Sequence, residues 1–124
     1  MLQILKKEGN EGYEELLNEL GLLNAQNIKI SEAVDGEKVG GFGIYSLSSE
    51  QITVYKISYG GDLMLGDGLI RSILFLAALK GVEKAVFENG SDELPRRLCM
   101  IKEGNVLEPV SEVFGGCESC KDRS

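Results

Sequence analysis

Histidine is absent from this chain of 124 residues, and its absence removes several kinds of chemistry. Without an imidazole, one chain can build neither a Ser-His-Asp nor a Cys-His nucleophile system, and it has no histidine ligands for a metal. Any general base must be a carboxylate, a tyrosine, a lysine, a cysteine or a water molecule. The sequence therefore limits catalysis to mechanisms that work without histidine.

Long apolar runs and an excess of basic residues are also missing. No stretch approaches the roughly 20 apolar residues that cross a bilayer, and MLQILKKEGN has its basic residues after the apolar ones, unlike a signal peptide. The 13 basic and 20 acidic residues give a formal net charge of −7. Such a charge argues against nucleic acid as a partner, because phosphate binding calls for a basic face. We expect a cytoplasmic protein that binds neither membrane nor nucleic acid.

Cysteine is scarce, with Cys99 alone in the body of the chain and Cys117 and Cys120 forming one CxxC near its end. A tetrahedral zinc site needs four ligands, and one chain offers at most three thiols. We therefore expect no metal site unless two tails of a homodimer combine Cys117 and Cys120. The alternatives are a redox pair, thiols that bridge a dimer, and incidental thiols in a polar tail.

What is present is the composition of an ordinary globular protein, with 43% apolar and 27% charged residues. We predict one domain over residues 1–112 and a polar tail with the CxxC over 113–124. Within the domain, Asp35-Gly36 lies between two apolar-patterned runs and predicts a hairpin. Gly40, Gly41 and Gly43 in the returning strand indicate a bulge or close packing against the backbone. The patterns predict strands over 1–6, 27–33, 38–47, 51–59, 82–87, 98–102 and 106–110, helices over 12–23 and 69–79, and a short helix near Pro95.

A glycine-rich turn between the strand over 51–59 and the helix over 69–79 is the feature around which the chain is organised. Gly60, Gly61, Gly66 and Gly68 give this segment backbone freedom and leave the main chain accessible. The first N–H groups of a helix have no intrahelical partners, and together with the helix dipole they favour an anion such as a phosphate. The alternative is that the glycines only permit a tight turn.

The order of elements, together with DGEKVGGFGIYSL and ITVYKISYGGDLMLGDGLIRSILFLAALKGVEKAVFE, resembles the GNAT superfamily of acyl-CoA-dependent N-acetyltransferases. The resemblance covers roughly residues 1–110. It implies an α+β fold with a mixed, mostly antiparallel sheet and helices on both faces. It also implies an N-acyltransferase that uses acetyl-CoA or another acyl-CoA as co-substrate and acts on an amine of a small molecule or protein.

The family's loop motif is Gln or Arg, two variable residues, Gly, one variable residue, then Gly or Ala, and Gly66 and Gly68 occupy its glycine positions. The resemblance implies that the end of the strand at Ile57, Ser58 and Tyr59 holds the pantetheine arm. It further implies that N–H groups of the next residues hold the pyrophosphate; these are Leu63, Met64, Leu65, Gly66, Asp67, Gly68 and Leu69.

The candidates for proton transfer are Tyr59, chosen first because it ends a strand beside the glycines, and Glu88 at the end of another strand. The structural alternatives are a half-buried strand tyrosine with a solvated hydroxyl and a solvated carboxylate. Arg96 and Arg97 are interpreted as part of a solvated turn.

Several residues depart from the family pattern. Leu63 stands where the family has Gln or Arg, and Asp67 places a carboxylate between the motif glycines. Residues 90–102 contain no tyrosine to protonate a departing thiolate, and Cys99 is the protic soft group there. These departures favour a second hypothesis, a GNAT-fold module without transferase activity that senses a ligand or binds a protein.

Overall fold

The computed structural model describes residues 2–7, 9–22, 27–101 and 104–115, which form one mixed sheet with helices packed on it. The six strands lie in the order β1 to β6, and every neighbouring pair is antiparallel except β4 and β5, which are parallel. The predicted α+β class with a mixed, mostly antiparallel sheet is confirmed. The elements are β1 (Leu2–Lys7), α1 (Glu14–Glu19), β2 (Ile28–Asp35), β3 (Lys38–Leu47), β4 (Ile52–Ser58), α2 (Leu63–Leu79), β5 (Ala85–Phe87), α3 (Glu93–Arg97), β6 (Val106–Leu107) and α4 (Glu112–Gly115).

The hairpin predicted at Asp35-Gly36 is present. Asp35 pairs with Lys38, which leaves Gly36 and Glu37 as the two loop residues, and Gly36 has a φ of +67°. A positive φ in a two-residue hairpin loop matches the twist of the flanking strands and favours glycine. This local chemistry fixes the register of β2 against β3.

The glycines of β3 serve both purposes that the sequence suggested. The β2–β3 register shifts between Ala33 and Val34, so that Gly40 is the extra residue of a bulge. A Cβ on Gly41 would lie 2.5 Å from the carbonyl oxygen of Ser58, and one on Gly43 would lie 2.5 Å from Cδ1 of Ile73. Because Gly41 and Gly43 have no side chains, both β4 and α2 can approach the backbone of β3 closely.

The two faces of the sheet carry separate hydrophobic clusters. On one face, α2 buries its apolar stripe, including Leu69, Ile73 and Ala77, against Tyr45 and Val54 of the sheet. On the other face, Leu17 of α1 packs on Ile30 and Ile44. Because neighbouring strand residues point to opposite faces, Ile44 and Tyr45 belong to different clusters. Helices thus cover both faces, as expected.

Several predicted elements have other bounds or are absent, and β5 and β6 are shorter than predicted. Helix α2 begins at Leu63 rather than residue 69, because Asp62 caps it and Gly66 packs as an interior helical residue. Helix α1 is shorter than predicted and ends at Glu19. Leu98 to Ile101 form no strand; the chain turns after α3 instead, and the N–H of Met100 donates to the carbonyl of Pro95.

The predicted boundary at residue 112 falls inside α4, whose Val113 and Phe114 pack against the larger cluster. Residues 116–124, with Cys117 and Cys120, lie outside the described residues. Within the described ranges, no helix has the length and apolar character that crossing a membrane requires.

The packing of β3 gives a first prediction, tested with two Gly→Ala variants. Gly41→Ala should lower the free energy of unfolding by about 1–3 kcal/mol, because its Cβ meets backbone that cannot move aside. Gly68→Ala is the matched control, since no atom lies within 4 Å of its Cβ and alanine favours a helix by about 1 kcal/mol. Urea denaturation of the ligand-free protein measures both values. Equal effects of the two substitutions would contradict this packing.

Candidate functional site

A notch opens in the sheet where β4 and β5 part. Their parallel pairing covers Ile52 to Val54 of β4 and stops there, while β4 continues to Ser58. The register against β3 shifts between Ile44 and Tyr45, so that Tyr55 of β4 is the extra residue of a bulge at the same point. Beyond the bulge, the described part of β4 has a strand partner on its β3 side alone.

The closed end of this notch is held by polar contacts from the segment after β5. The N–H of Glu88 and the hydroxyl of Ser91 both donate to the carbonyl of Val54, at 2.8 and 3.0 Å. The side-chain amide of Asn89 donates to the carbonyl of Tyr55 at 3.0 Å. The free edge of β4 therefore begins at Lys56 and runs through Ile57 and Ser58 toward the N-terminus of α2.

The N-terminus of α2 is capped by its own chain. The carboxylate of Asp62 accepts from the N–H of Leu65 at 3.2 Å, and the N–H of Gly66 donates to the carbonyl of Asp62 at 2.9 Å. The N–H groups of Leu63 and Met64 have no intrahelical acceptor at this position. Those of residues 66–69 lie inside the helix and are bound there. Of the seven N–H groups predicted to form a cradle, those of Leu63 and Met64 are therefore left without an intrahelical acceptor. The exposed Gly60-Gly61 turn precedes them.

The two motif glycines occupy different surroundings. Gly66 is buried, and a Cβ there would lie 3.0 Å from the ring of Tyr59 and 3.1 Å from Leu94. Gly68 has open space around it. Gly66 therefore serves the close packing of Tyr59 and α3 on α2, whereas Gly68 leaves the surface of the helix clear.

Asp67 is neutralised within the chain. Its carboxylate accepts from Nε of Arg71 at 2.7 Å, one helical turn further on. Nη1 of Arg71 also donates to the carbonyl of Val113 at 3.3 Å, which ties α4 to α2. The carboxylate that the sequence placed in the loop motif is thus accompanied by a guanidinium, and the repulsion of a bound phosphate is smaller than from Asp67 alone.

Tyr59 and Glu88, the two residues predicted for proton transfer, are not joined by a hydrogen bond. The hydroxyl of Tyr59 donates to Glu93 at 3.1 Å and accepts from Nη1 of Arg97 at 2.9 Å, so α3 holds it. Glu88 is exposed at the end of β5. Glu93 and Arg97 were not predicted as site residues, because their separation from Tyr59 leaves no local pattern in the sequence.

Two other tyrosines, Tyr13 before α1 and Tyr45 in β3, have raised pKa values. Burial raises the pKa of Tyr13 well above its usual range, and the carboxylate of Glu32, which accepts its hydrogen bond and repels a phenolate, raises it further. Burial also raises the pKa of Tyr45, against the smaller opposing effect of its hydrogen bond with Ser31. Both phenols are therefore structural hydrogen-bonding groups in their protonated form.

The thiols give no further site within the part of the chain that the structure describes. Cys99 is exposed after α3 and has a φ of +63°. No three histidine, cysteine, aspartate or glutamate side chains among the described residues converge as metal ligands would. A four-thiolate site of two tails, made from Cys117 and Cys120, stays a prediction because both residues lie outside the described ranges.

Comparison with solved structures identifies the fold. The chain superimposes on a GNAT family acetyltransferase from Elizabethkingia anophelis, solved with acetyl-CoA bound, with a TM-score of 0.57 and 12% identity over 79% of this chain and 71% of that one. It superimposes on a ribosomal-protein-alanine N-acetyltransferase from Brucella melitensis biovar Abortus 2308 with a TM-score of 0.58 and 17% identity, covering 79% and 88% of the two chains.

An aminoglycoside acetyltransferase from an uncultured soil metagenomic sample, in complex with trehalose, gives a TM-score of 0.58 and 15% identity, covering 84% of this chain and 90% of that one. No family model and no curated protein sequence matches the chain. The protein has the GNAT acetyltransferase fold, which confirms the fold that the sequence resemblance implied.

The environment of Tyr13 gives a second prediction, on the pH dependence of stability. The folded state holds its proton more tightly than the unfolded state, so the stabilisation is complete below the unfolded pKa near 10 and is lost as the pH rises above it. Tyr13→Phe should lower stability at pH 8 by about 1–3 kcal/mol, since it removes a hydrogen bond to a carboxylate. It should also flatten the decline between about pH 10 and 12. Denaturation curves across this range would refute the effect if both proteins declined in parallel.

Proposed function

We propose that this protein is an acyl-CoA-dependent N-acyltransferase whose acceptor is an amine of a small molecule or of a protein. The observation that carries the proposal is the notch, where β4 bulges at Tyr55 and loses its β5 partner beside the N-terminus of α2. A pantetheine arm contains two amides and can pair with the free backbone edge from Lys56 to Ser58 as an added strand does.

The residues around the notch fit an acyl-CoA in part. The free N–H groups of Leu63 and Met64 offer donors to a pyrophosphate at the positive end of the helix dipole. Arg71 supplies a cation about two turns along the same helix, in place of the Gln or Arg that position 63 lacks. Asp62 works against binding, because its carboxylate already occupies the N-terminus of α2.

For the chemistry, the bound thioester supplies an activated acyl group, and the chain must accept one proton from the amine and deliver one to the sulfur. We assign the first task to Glu88, an exposed carboxylate at the closed end of the notch. We assign the second to the hydroxyl of Tyr59, which Glu93 and Arg97 hold in a fixed orientation. After transfer the Tyr59 phenolate takes a proton from solvent, and its hydroxyl again donates to Glu93. In this scheme the amine displaces the thiol directly, and no residue of the chain is acylated.

The solved structures support the class of reaction and leave the acceptor open. One protein of this fold holds acetyl-CoA, and the names of two others specify a ribosomal-protein alanine and an aminoglycoside as their amine substrates. We extend acyl-CoA use to this chain and keep both acceptor classes. A cytoplasmic location follows as part of the same proposal, because acyl-CoA is found there.

Binding of acetyl-CoA gives a third prediction, measured by isothermal titration calorimetry. Asp62→Asn should tighten binding by about tenfold, because it removes a negative charge near the pyrophosphate, worth about 1.4 kcal/mol, while asparagine caps a helix as well as aspartate. Arg71→Gln should weaken binding, and Lys38→Gln in the β2–β3 hairpin should leave it unchanged. Absence of saturable binding by the wild type up to millimolar acetyl-CoA would rule out the transferase.

A second function is a GNAT-fold module without transferase activity, and specific observations favour it. Asp62 already satisfies one N–H group of the first turn, and Tyr59 and Leu94 fill the space over Gly66. Such a protein would bind a ligand or a protein partner in the notch without turnover.

Kinetics of the Tyr59 and Glu93 variants give a fourth prediction and separate the two functions. If the transferase is active, Tyr59→Phe should reduce kcat by about 10²-fold or more with little change in acetyl-CoA affinity, since general acid catalysis contributes that much. Glu93→Gln should reduce kcat less, because glutamine still orients the hydroxyl. Release of free thiol from acetyl-CoA in the presence of a panel of amines is the measurement. Tight acetyl-CoA binding with no thiol release for any amine would favour the non-catalytic module.

A further inference from the structure

Two neighbouring cavities lie at the end of the sheet opposite the notch. One, of about 370 Å³, lies between the start of β2, the β3–β4 turn and the C-terminus of α2, where Lys29, Ser49 and Lys80 line it. The other, of about 340 Å³, lies between the end of β1 and the start of β2, where Lys6, Lys7, Asn10 and Lys29 line it. Lys29 lines both cavities, and we call the two together the Lys29 cleft.

The Lys29 cleft is separate from the acyl-CoA notch. The notch lies beside Leu63, the first residue of α2, whereas Lys80 follows its last residue. A helix of 17 residues is about 25 Å long. A ligand in the cleft would therefore lie a full helix length from any acyl-CoA, and the inference does not rest on the proposed function.

Backbone groups at the cleft are also open. The pairing of β1 with β2 ends at Lys7 and Ile30, while β2 begins two residues earlier, at Ile28. Ile28 and Lys29 pair with Ser46 and Tyr45 of β3 on their other side. Within the described residues, the edge of β2 that faces the cleft thus has polar backbone groups with no strand partner there.

The charge of the cleft is the opposite of that of the chain. Four of the 13 basic residues line it, no described acidic residue does, and the net charge of the chain is −7. Among the described residues, Lys6, Lys29 and Lys80 form no ion pair. An anion bound in the cleft would supply the counter-charge that these lysines lack.

From these observations we propose that the Lys29 cleft binds a small phosphorylated molecule with at least two anionic groups, one in each cavity. Lysine ammonium groups bind phosphate as point charges, and the hydroxyl of Ser49 and the amide of Asn10 add neutral donors. Lys29 stands between the two cavities and contacts ligand in either, so it is the residue on which affinity depends most.

Pyrophosphate is the probe for this site, titrated calorimetrically into the full chain at low salt. The wild-type protein should bind pyrophosphate saturably, and Lys29→Gln should weaken that binding at least tenfold. Lys80→Gln and Lys6→Gln should each weaken it by a smaller factor. Affinity should fall as salt is added, since the contacts are screened charges. Orthophosphate should bind more weakly than pyrophosphate, because it reaches one cavity alone.

Two controls locate the binding. Lys38→Gln removes a lysine from the start of β3, in the hairpin at the far end of β2, and Arg71→Gln removes the cation that we assign to acyl-CoA binding. Each should change pyrophosphate affinity less than twofold. Lys29→Arg should retain binding and thereby shows that a loss in Lys29→Gln is a loss of charge rather than of folding. The proposal is overturned if wild type does not bind, if orthophosphate equals pyrophosphate, or if Arg71→Gln weakens binding as much as Lys29→Gln.

Discussion

The close approach of α2 and β4 to the backbone of β3 is the constraint on which the rest of the structure depends. Leu65 and Ile73 of α2 occupy the space that side chains at Gly41 and Gly43 would fill, and the carbonyl of Ser58 approaches Gly41 equally closely. This packing fixes α2 across the sheet and sets the end of β4 beside the first turn of the helix. The notch, the free edge of β4 and the N–H groups of Leu63 and Met64 come together for that reason.

The same packing explains why the loop glycines do not act as a pair. A helix that lies this close to the sheet turns the residue at position 66 inward, where Tyr59 and Leu94 take up the space of a side chain. Gly66 is therefore required by the fold, whatever the notch binds. Gly68 lies on the outer surface of the same helix and is free to serve a ligand. A motif of two glycines thus combines one structural residue with one that is open to function.

Local chemistry made part of this architecture predictable. The hairpin at Asp35-Gly36, the bulged glycine strand and the order of elements follow from short sequence patterns, and the structure confirms them. The start of α2 was misplaced because two glycines within six residues lower helix propensity. The burial of Gly66, which offsets this, is a tertiary effect, whereas the cap at Asp62 is a local signal that was missed. The contact of Tyr59 with Glu93 and Arg97 spans 34 and 38 residues, and no pattern within a window of the sequence indicates it.

Under the proposed function, the charges around the notch, rather than its shape, determine its affinity for an acyl-CoA. The notch supplies backbone donors and a free strand edge, which any sequence with this fold would provide. The side chains around the first turn of α2, in contrast, are specific to this chain. Asp62 places a carboxylate where a pyrophosphate would lie, and Arg71 both neutralises Asp67 and holds α4 through Val113. A phosphate that binds Arg71 would compete with Asp67 and with the carbonyl of Val113 for the same guanidinium. Ligand binding at the notch would therefore compete with the contact that holds α4 on α2. Under the proposed function, the affinity of the notch for an acyl-CoA therefore depends on the position of α4.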